Sequence, residues 1–335
     1  MKHKGYWAIG VLVMLLTFIT KADAGYRRID YNTADTINPA SIAVATDADV
    51  TEVEPGRIPV EAVENAIPDT LNETEEYDEN DEKVLTLLTF NIHSANNIEG
   101  SVQLEQIIEE IRETGAHIIG LQEVERLMPR SGYQDQARII AEELGYYYYY
   151  GGNINILGVQ YGNAFLSKYP ILEVSNHKLP REMLEPRGLI EATVDVDGTM
   201  YHIYVTHLGL DSEERRNQIK YINDLIAQKE GNILLLGDFN NNPDSSEMAI
   251  LDPRMTDSAA AMEQDNEYTY SNWDELLKVR IDRIYYSDNI NLISHMVMPS
   301  QVSDHKRVIT QISGEIIPSE GIYEVLSNSD NENVD

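Results

Sequence analysis

Between residues 84 and 314 the chain alternates apolar runs of strand length with stretches whose apolar residues recur at helical spacing, and few folds satisfy that alternation. Residues 84–91 are a dense apolar run of strand length. Val102, Leu104, Ile107, Ile108 and Ile111 then follow helical spacing, which Gly115 ends. The same criteria predict a strand over 117–122, a helix over 133–144 and a strand over 146–150. Further strands are predicted over 162–167, 189–196 and 200–206, the last two joined by Asp197-Gly198, a strong hairpin turn. Residues 212–229 read as a helix and 232–236 as a buried strand. Runs at 281–286, 292–298 and 307–312 complete the series. Hairpins and crossovers occur together, so the pattern predicts a mixed α/β domain large enough for a two-sheet core.

The flanks differ in kind. Lys2 and Lys4 precede a short apolar run over residues 6–19, and Ala22-Asp23-Ala24 offers a small-residue cleavage site. Residues 1–24 are therefore expected to be a signal peptide and the mature protein to be secreted, with no membrane span after cleavage, because the run is shorter than the roughly 20 residues a span needs. Residues 25–83 carry 4 basic and 16 acidic groups with scattered prolines, and are expected to be an acidic disordered linker. Residues 315–335, with six acidic and no basic groups, read as an acidic tail. The absence of cysteine excludes a disulfide scaffold, a thiolate zinc site and a cysteine nucleophile. A net charge of −32 argues against gripping nucleic acid by broad phosphate neutralisation, but not against phosphate-ester chemistry through a bound cation. The chain is expected to act as a monomer.

Several predicted strands stop at a side chain able to do chemistry. The sharpest case is Leu234-Leu235-Leu236-Gly237-Asp238-Phe239-Asn240, where two polar side chains follow a buried strand and, if the chain stays extended, point the same way. The same residues are turn formers, and on this fragment alone a plain turn is the better reading. Asn91, Glu123 and His207 close three other strands, Asp282 lies in Arg-Ile-Asp-Arg, and Ser303-Asp304-His305 precedes the last strand. Taken singly, Glu123 could be a solvated loop acid, His207 a bonded core histidine and Asp304 a cap. Taken together they fit a site assembled from loops at one edge of a rigid sheet.

The ordered set Thr89-Phe90-Asn91, Leu121-Gln122-Glu123, Thr206-His207-Leu208, Gly237-Asp238-Phe239-Asn240, Arg280-Ile281-Asp282 and Ser303-Asp304-His305 resembles the endonuclease/exonuclease/phosphatase superfamily. That superfamily includes deoxyribonuclease I, abasic-site endonucleases, neutral sphingomyelinases and inositol-polyphosphate 5-phosphatases. The resemblance covers residues 84–314 and implies a four-layer α/β/β/α sandwich of two packed mixed β-sheets. It also implies hydrolysis of a phosphate ester with Mg²⁺ or Mn²⁺. By motif, Glu123 is the principal metal ligand, with Asn91 and Asp304 beside it. His305 matches the histidine that activates water, and Asp282 the group that orients it. Asp238 and Asn240 match the pair that position the nucleophile and stabilise the transition state. His207 and, on a shorter motif, Arg187 match phosphate contacts, alongside Asn240.

These residue types suit the chemistry. A phosphodiester is a stable anion, so its attack requires charge neutralisation, an activated water and help for the leaving oxygen. Carboxylate and amide oxygens suit a hard cation rather than zinc, and a histidine paired with a carboxylate is a base of fixed tautomer. The predicted function is an exported phosphodiesterase acting on a small or lipid-linked headgroup. A secreted nuclease is the second reading and a non-catalytic binding protein the third. Residues 84–314 carry 18 basic and 34 acidic groups, which weakens the nuclease reading. Arg126 and Arg130 could line a phosphate pocket or merely solvate a loop. Tyr161 and Asn163 could bring an exposed ring and an amide to it, and the 146–150 tyrosines read as a covered strand rather than a base-stacking platform. No exposed apolar hairpin of the kind that meets a bilayer is legible.

Overall fold

The computed structural model describes residues 84–182 and 185–314; the expected signal peptide, linker and tail lie outside the described residues. In chain order the elements are β1 (Leu85–Asn91), α1 (Leu104–Arg112), β2 (Ile118–Arg126), α2 (Gln136–Leu144), β3 (Tyr147–Ile156), β4 (Val159–Ser167), β5 (Ile171–Lys178), β6 (Gly188–Val196), β7 (Thr199–His207), α3 (Ser212–Ile226) and β8 (Asn232–Asp238). They continue with β9 (Met255–Asp257), α4 (Ser258–Ala261), β10 (Tyr270–Ser271), β11 (Lys278–Val279), β12 (Asp282–Ser287), β13 (Ile290–Met298) and β14 (Arg307–Gly314).

Two six-stranded mixed sheets result, in the orders β13-β14-β1-β2-β4-β3 and β5-β6-β7-β8-β12-β9. Each contains one parallel pair, β1 with β2 and β7 with β8, and in each the connection carries a helix, α1 or α3. Alternation along single strands shows how the layers stack. Leu85 and Leu87 of β1, with Leu234 and Leu236 of β8, fill the core between the sheets. Leu88 and Phe90 face α1 and α2, while Ile233 and Leu235 face α3. Strands covered on both faces must be apolar throughout, which is why β1 and β8 read as unbroken apolar runs. The helices present matching stripes, Leu104, Ile107, Ile108 and Ile111 on α1 and Ile219, Ile222 and Ile226 on α3. The α/β/β/α sandwich is the architecture expected.

Local chemistry sets the joints. Asp197 and Gly198, both with positive φ, form the tight β6–β7 turn. Asp211 caps α3, accepting from the backbone N–H groups of Glu213 and Glu214 at 2.9 and 3.1 Å, an arrangement worth about 1 kcal/mol. Several boundaries depart from expectation: β3 runs on to Ile156 rather than 150, β4 starts at Val159 rather than 162, and β5 falls where no strand is expected. The second helix starts at Gln136 rather than at 133, because Tyr133 holds a left-handed backbone and Asp135 caps at the later position. Strand β2 runs on through Glu123 to Arg126 instead of ending there. The tyrosines of β3 are only partly covered on this edge strand: Tyr150 packs towards the helices and Tyr149 between the sheets, while Tyr148 is exposed.

On the outer face of the second sheet, Glu191 lies 2.6 Å from His177 Nε2 and 2.9 Å from Lys229 Nζ. The hydrogen bond from His177, and then Lys229, outweigh burial and lower the Glu191 carboxyl to about 2. A lowered folded value means the stabilisation is complete above the unfolded value near 4.5 and is lost as pH falls towards 2. Glu191→Gln should therefore lower stability at pH 7 by on the order of 1–2 kcal/mol after allowing for solvent screening. The difference from wild type should vanish near pH 2. Urea unfolding of both proteins at several pH values measures it, and a pH-independent difference contradicts the assignment.

Candidate active site

The parallel pairs bring their carboxyl ends to one edge of the sandwich. In β1/β2, Asn91 stands opposite Gln122, and in β7/β8, His207 stands opposite Asp238. Asp282, the first residue of β12, pairs with Asp238 from the other side. The segment before β14 adds His305, whose backbone bridges Tyr270. A cleft of about 500 Å³ opens here, and Glu123, Arg187, His207, Asp238, Asn240, Asp304 and His305 all line it. Asn91 and Asp282 lie directly behind it, fully buried. The predicted site residues are thus brought together at one place.

One half of the site is a carboxylate–histidine chain. Asp282 accepts a hydrogen bond from His305 Nδ1 at 2.9 Å, which leaves Nε2 facing the cleft, 3.8 Å from Asp238 Oδ2. Asp282 is itself fixed, because Thr269 Oγ1 accepts from the backbone N–H groups of Ile281 and Asp282 at 3.0 Å each. His207 Nε2 lies 3.5 Å from the same Asp238 oxygen. Burial opposes charge on His305, but Asp282, and behind it Asp238 and Asp304, raise it to about 10. Burial and then Asp282 push the Asp238 carboxyl up to about 7. Burial, assisted by Arg187 and His305, holds His207 well below its ordinary value and so neutral. Two carboxylates and two imidazoles within one buried cluster can hold and pass a proton around neutral pH.

The other half gathers oxygen donors. Glu123 sits at a β-bulge, where two residues of β2 oppose one of β4, with φ at 58°. The bulge turns the carboxylate out of the sheet towards the cleft. Asn91 Nδ2 donates to Glu123 Oε1 and to Asp238 Oδ2, both at 3.1 Å, and its Oδ1 accepts from the backbone N–H of His93. It therefore offers its NH₂ side to both carboxylates and ties the two halves together. The buried Asp304 Oδ1 pairs with His93 Nδ1 at 3.2 Å. Carboxylate oxygens suit a hard divalent cation, and by motif Glu123 and Asp304 are the candidates to hold one. Asn91, expected beside them, turns its NH₂ to the carboxylates instead. Among the described residues, the side chains that bring ligand atoms within 4.8 Å of one another are Asp238, Asp282 and His305.

Several expectations change. The chain does not stay extended past Asp238: Asn240 is left-handed, its N–H donates to Asp238 Oδ1 at 2.9 Å, and its Nδ2 donates to Leu208 O. The turn reading and the paired-side-chain reading of this motif are both realised, since the turn itself points Asn240 into the cleft. Arg126 pairs with Asp135 at 3.0 Å and Arg130 with buried Glu125, so neither lines the cleft. Arg187 does, buried and 3.1 Å from Glu185. The Tyr161 ring lines the cleft but is half-buried, and Asn163 spends its amide on Gly188 O.

The match to the Endonuclease/Exonuclease/phosphatase family covers residues 88–305. The chain belongs to that family. The endonuclease/exonuclease/phosphatase fold is one of phosphoesterases and nucleases whose chemistry depends on a divalent metal. Over 211 residues the chain is 27% identical to protein cwh43 of Schizosaccharomyces pombe, a match covering 62% of this chain and 21% of that one. It is 27% identical over 173 residues to the uncharacterized protein YbhP of Escherichia coli K12, covering 46% and 66% respectively. The chain thus spans less than two thirds of either relative. In fold it is similar to D. rerio TDP2 complexed with a single-strand DNA product, with a TM-score of 0.58 at 14% identity over 69% of this chain and 99% of that one.

Within this endonuclease/exonuclease/phosphatase site, two features went unread in the sequence. His93 lies against Asp304 and Glu123. An exposed apolar hairpin does exist: Tyr270–Ser271 pair with Val279–Lys278, and the loop between them exposes Trp273, Leu276 and Leu277. Asp274 and Glu275 interrupt its apolar residues, so the stretch reads as a polar loop until the two-residue ladder closes it.

Proposed function

We propose that this chain is an exported, divalent-metal-dependent phosphodiesterase acting on a small or lipid-linked headgroup. The observation that carries the chemistry is the buried Asp282–His305 pair, aimed into the same cleft as Glu123 and Asp304. A cation held there supplies Lewis-acid polarisation of a phosphoryl oxygen and a template for the attacking water. His305 Nε2, fixed by Asp282, takes the proton of that water. A base requires the neutral imidazole, which Asp282, Asp238 and Asp304 oppose; a cation held beside Asp304 would offset the last of these. Asp238, raised towards neutrality and 3.8 Å from Nε2, and Asn240 on the same cleft orient the nucleophile. His207, kept neutral, donates to a phosphate oxygen, and Arg187 neutralises a second.

The cleft's surroundings favour a lipid-linked substrate. Among the described residues that line it, Arg187 is the one lysine or arginine, and Glu185 already offsets its charge. Two loops that line the cleft expose apolar side chains: Leu210 after β7, and Leu277 with its neighbours Trp273 and Leu276 in the β10–β11 loop. The Trp273, Leu276 and Leu277 group falls together on one loop, and an exposed apolar group of this kind favours an apolar phase over a polyanion. The second reading, a nuclease on DNA or RNA, is supported by the likeness to the TDP2 fold with its DNA product.

A metal-supplemented panel of plasmid DNA, RNA, sphingomyelin and phosphoinositide vesicles and a soluble chromogenic phosphodiester tests both. Vesicle substrates should turn over fastest, and Trp273→Ser with Leu276→Ser should lower vesicle turnover about tenfold or more while leaving the soluble diester within twofold, on the transfer energy of two exposed side chains. Preference for DNA or RNA, or equal losses on vesicles and the soluble diester, overturns the lipid reading. Export is checked by N-terminal sequencing of protein from culture medium, which should begin near Gly25; an intact Met1 in the membrane fraction contradicts it.

A further inference from the structure

Glu185, Pro186 and Arg187 lead into β6, and their order builds a charge pair into the wall of the cleft. The Arg187 carbonyl accepts the backbone N–H of Leu179 at 3.0 Å, one step beyond the Lys178–Gly188 pair, which pins the backbone of the arginine at the end of the β5–β6 ladder. Proline fixes its own φ and biases the residue before it towards extended backbone. In an extended chain, side chains two positions apart fall on the same side. The Glu185 carboxylate accordingly meets the Arg187 guanidinium, Oε1 to Nη1 at 3.1 Å, and both residues line the cleft.

The pair matters because of what surrounds it. Glu123, Asp238 and Asp304 line the same cleft, where Arg187 has no second arginine or lysine beside it among the described residues. Burial pushes the Glu185 carboxyl above its ordinary value; Arg187 opposes this, while Glu123 and Glu214 add to it. Its side chain is 25% exposed, so the carboxylate opens onto the cleft. A phosphodiester carries one negative charge at neutral pH, whereas a phosphomonoester, with a second ionisation at about 6, carries close to two. A guanidinium shared with a carboxylate still has N–H donors for a single phosphoryl charge. The second charge of a monoester would stand beside Glu185 without a cation of its own, and an unpaired charge of that kind is how a site rejects a competitor.

We propose that Glu185 is a specificity determinant that restricts the cleft to phosphodiester monoanions and turns away phosphomonoester dianions. The proposal rests on the phosphodiesterase reading above. Glu185 touches no reacting atom; it acts through Arg187, as a positioning residue that sets how much of the guanidinium's charge is left for a substrate. The monoester is also what diester hydrolysis leaves behind, so the same repulsion weakens the hold on product.

Calorimetric titration of the metal-supplemented full chain with diphenyl phosphate and with phenyl phosphate, one charge against two, reads the discrimination without requiring turnover. Wild type should bind the diester about tenfold or more tightly than the monoester. Glu185→Gln keeps the shape and removes the charge, so it should tighten phenyl phosphate binding about tenfold and close the gap. Glu185→Asp keeps the charge and should hold the preference within about threefold of wild type. Glu185→Ser, which also removes the charge, serves if the glutamine variant does not fold. Turnover of bis(p-nitrophenyl) phosphate and p-nitrophenyl phosphate should follow the same order in kcat/KM. A preference that Glu185→Gln leaves unchanged, or that Glu185→Asp loses equally, overturns the inference while leaving the phosphodiesterase reading intact. Wild-type protein that hydrolyses p-nitrophenyl phosphate faster than its bis ester overturns that reading itself.

Discussion

Replacing His305 by alanine should lower kcat about 10²–10⁴-fold on whichever phosphodiester the protein turns over, the range general acid–base steps usually contribute. The reason is specific to the geometry. The Asp282 hydrogen bond at 2.9 Å holds Nδ1, and no other described imidazole has both a buried carboxylate behind it and a free nitrogen facing Asp238. Asp282→Asn leaves the ring in place but removes the charge that orients it, so its loss should be smaller. Because Asp282 and His305 act as one unit, the double variant should be little worse than His305→Ala alone. Glu123→Gln behaves differently: it nearly keeps the side-chain shape and weakens a hard-cation ligand, so raised Mg²⁺ or Mn²⁺ should restore part of the lost rate. Measuring kcat against metal concentration for the four variants separates the roles. Full metal rescue of His305→Ala, or additive losses at Asp282 and His305, would contradict them.

Gly237→Ala should be among the most damaging single changes in the fold, although it adds only a methyl group. A Cβ at this position would stand 2.2 Å from the carbonyl oxygen of Thr206, its register partner in the parallel β7–β8 pair. That neighbour is backbone and has no rotamer to change, so the strands must separate. The cost is on the order of 3 kcal/mol, at the upper end for overpacking. In a domain of this size that lowers Tm by roughly 6–12 °C. The same shift carries His207 and Asp238, the next pair along the same ladder, so activity should fall even where the protein stays folded. Thermal unfolding and turnover below the transition check this, and a Tm within 2 °C of wild type would show that the strands accommodate the methyl.

Much of this molecule is written locally. The runs that became β1, β8 and the helices α1 and α3 are covered on the faces their periodicity declares, because burial on one or both faces imposes a pattern on neighbouring residues. The spacing and order of Asn91, Glu123, His207, Asp238, Asp282 and His305 were legible for a related reason. Asn91, His207, Asp238 and Asp282 sit at the ends of buried strands and Glu123 at a bulge within one, and a polar residue interrupting an apolar run is visible without knowing its partners. The Asp197-Gly198 turn was readable because only such residues tolerate its backbone.

What only the tertiary structure decided depends on groups distant in sequence. β5 is an edge strand with polar residues on both sides of its alternation, and it exists because β6 pairs with it. The β10–β11 hairpin is two ladder pairs long, too short for a pattern, and its Trp273–Leu277 loop became a rim of the cleft only once Tyr270 met His305. The bulge that turns Glu123 outward arises from the mismatch of β2 against β4, which neither strand encodes alone. His93 is the extreme case. Its backbone is held by Gln136 and Arg130, and its ring meets an aspartate more than two hundred residues along the chain. Sequence determines the inventory of strands and of chemically able side chains because both follow from short-range burial and turn preferences. The coincidence of those side chains in one cleft, and the strain that aims them, are set by long-range packing, and only the folded chain displays it.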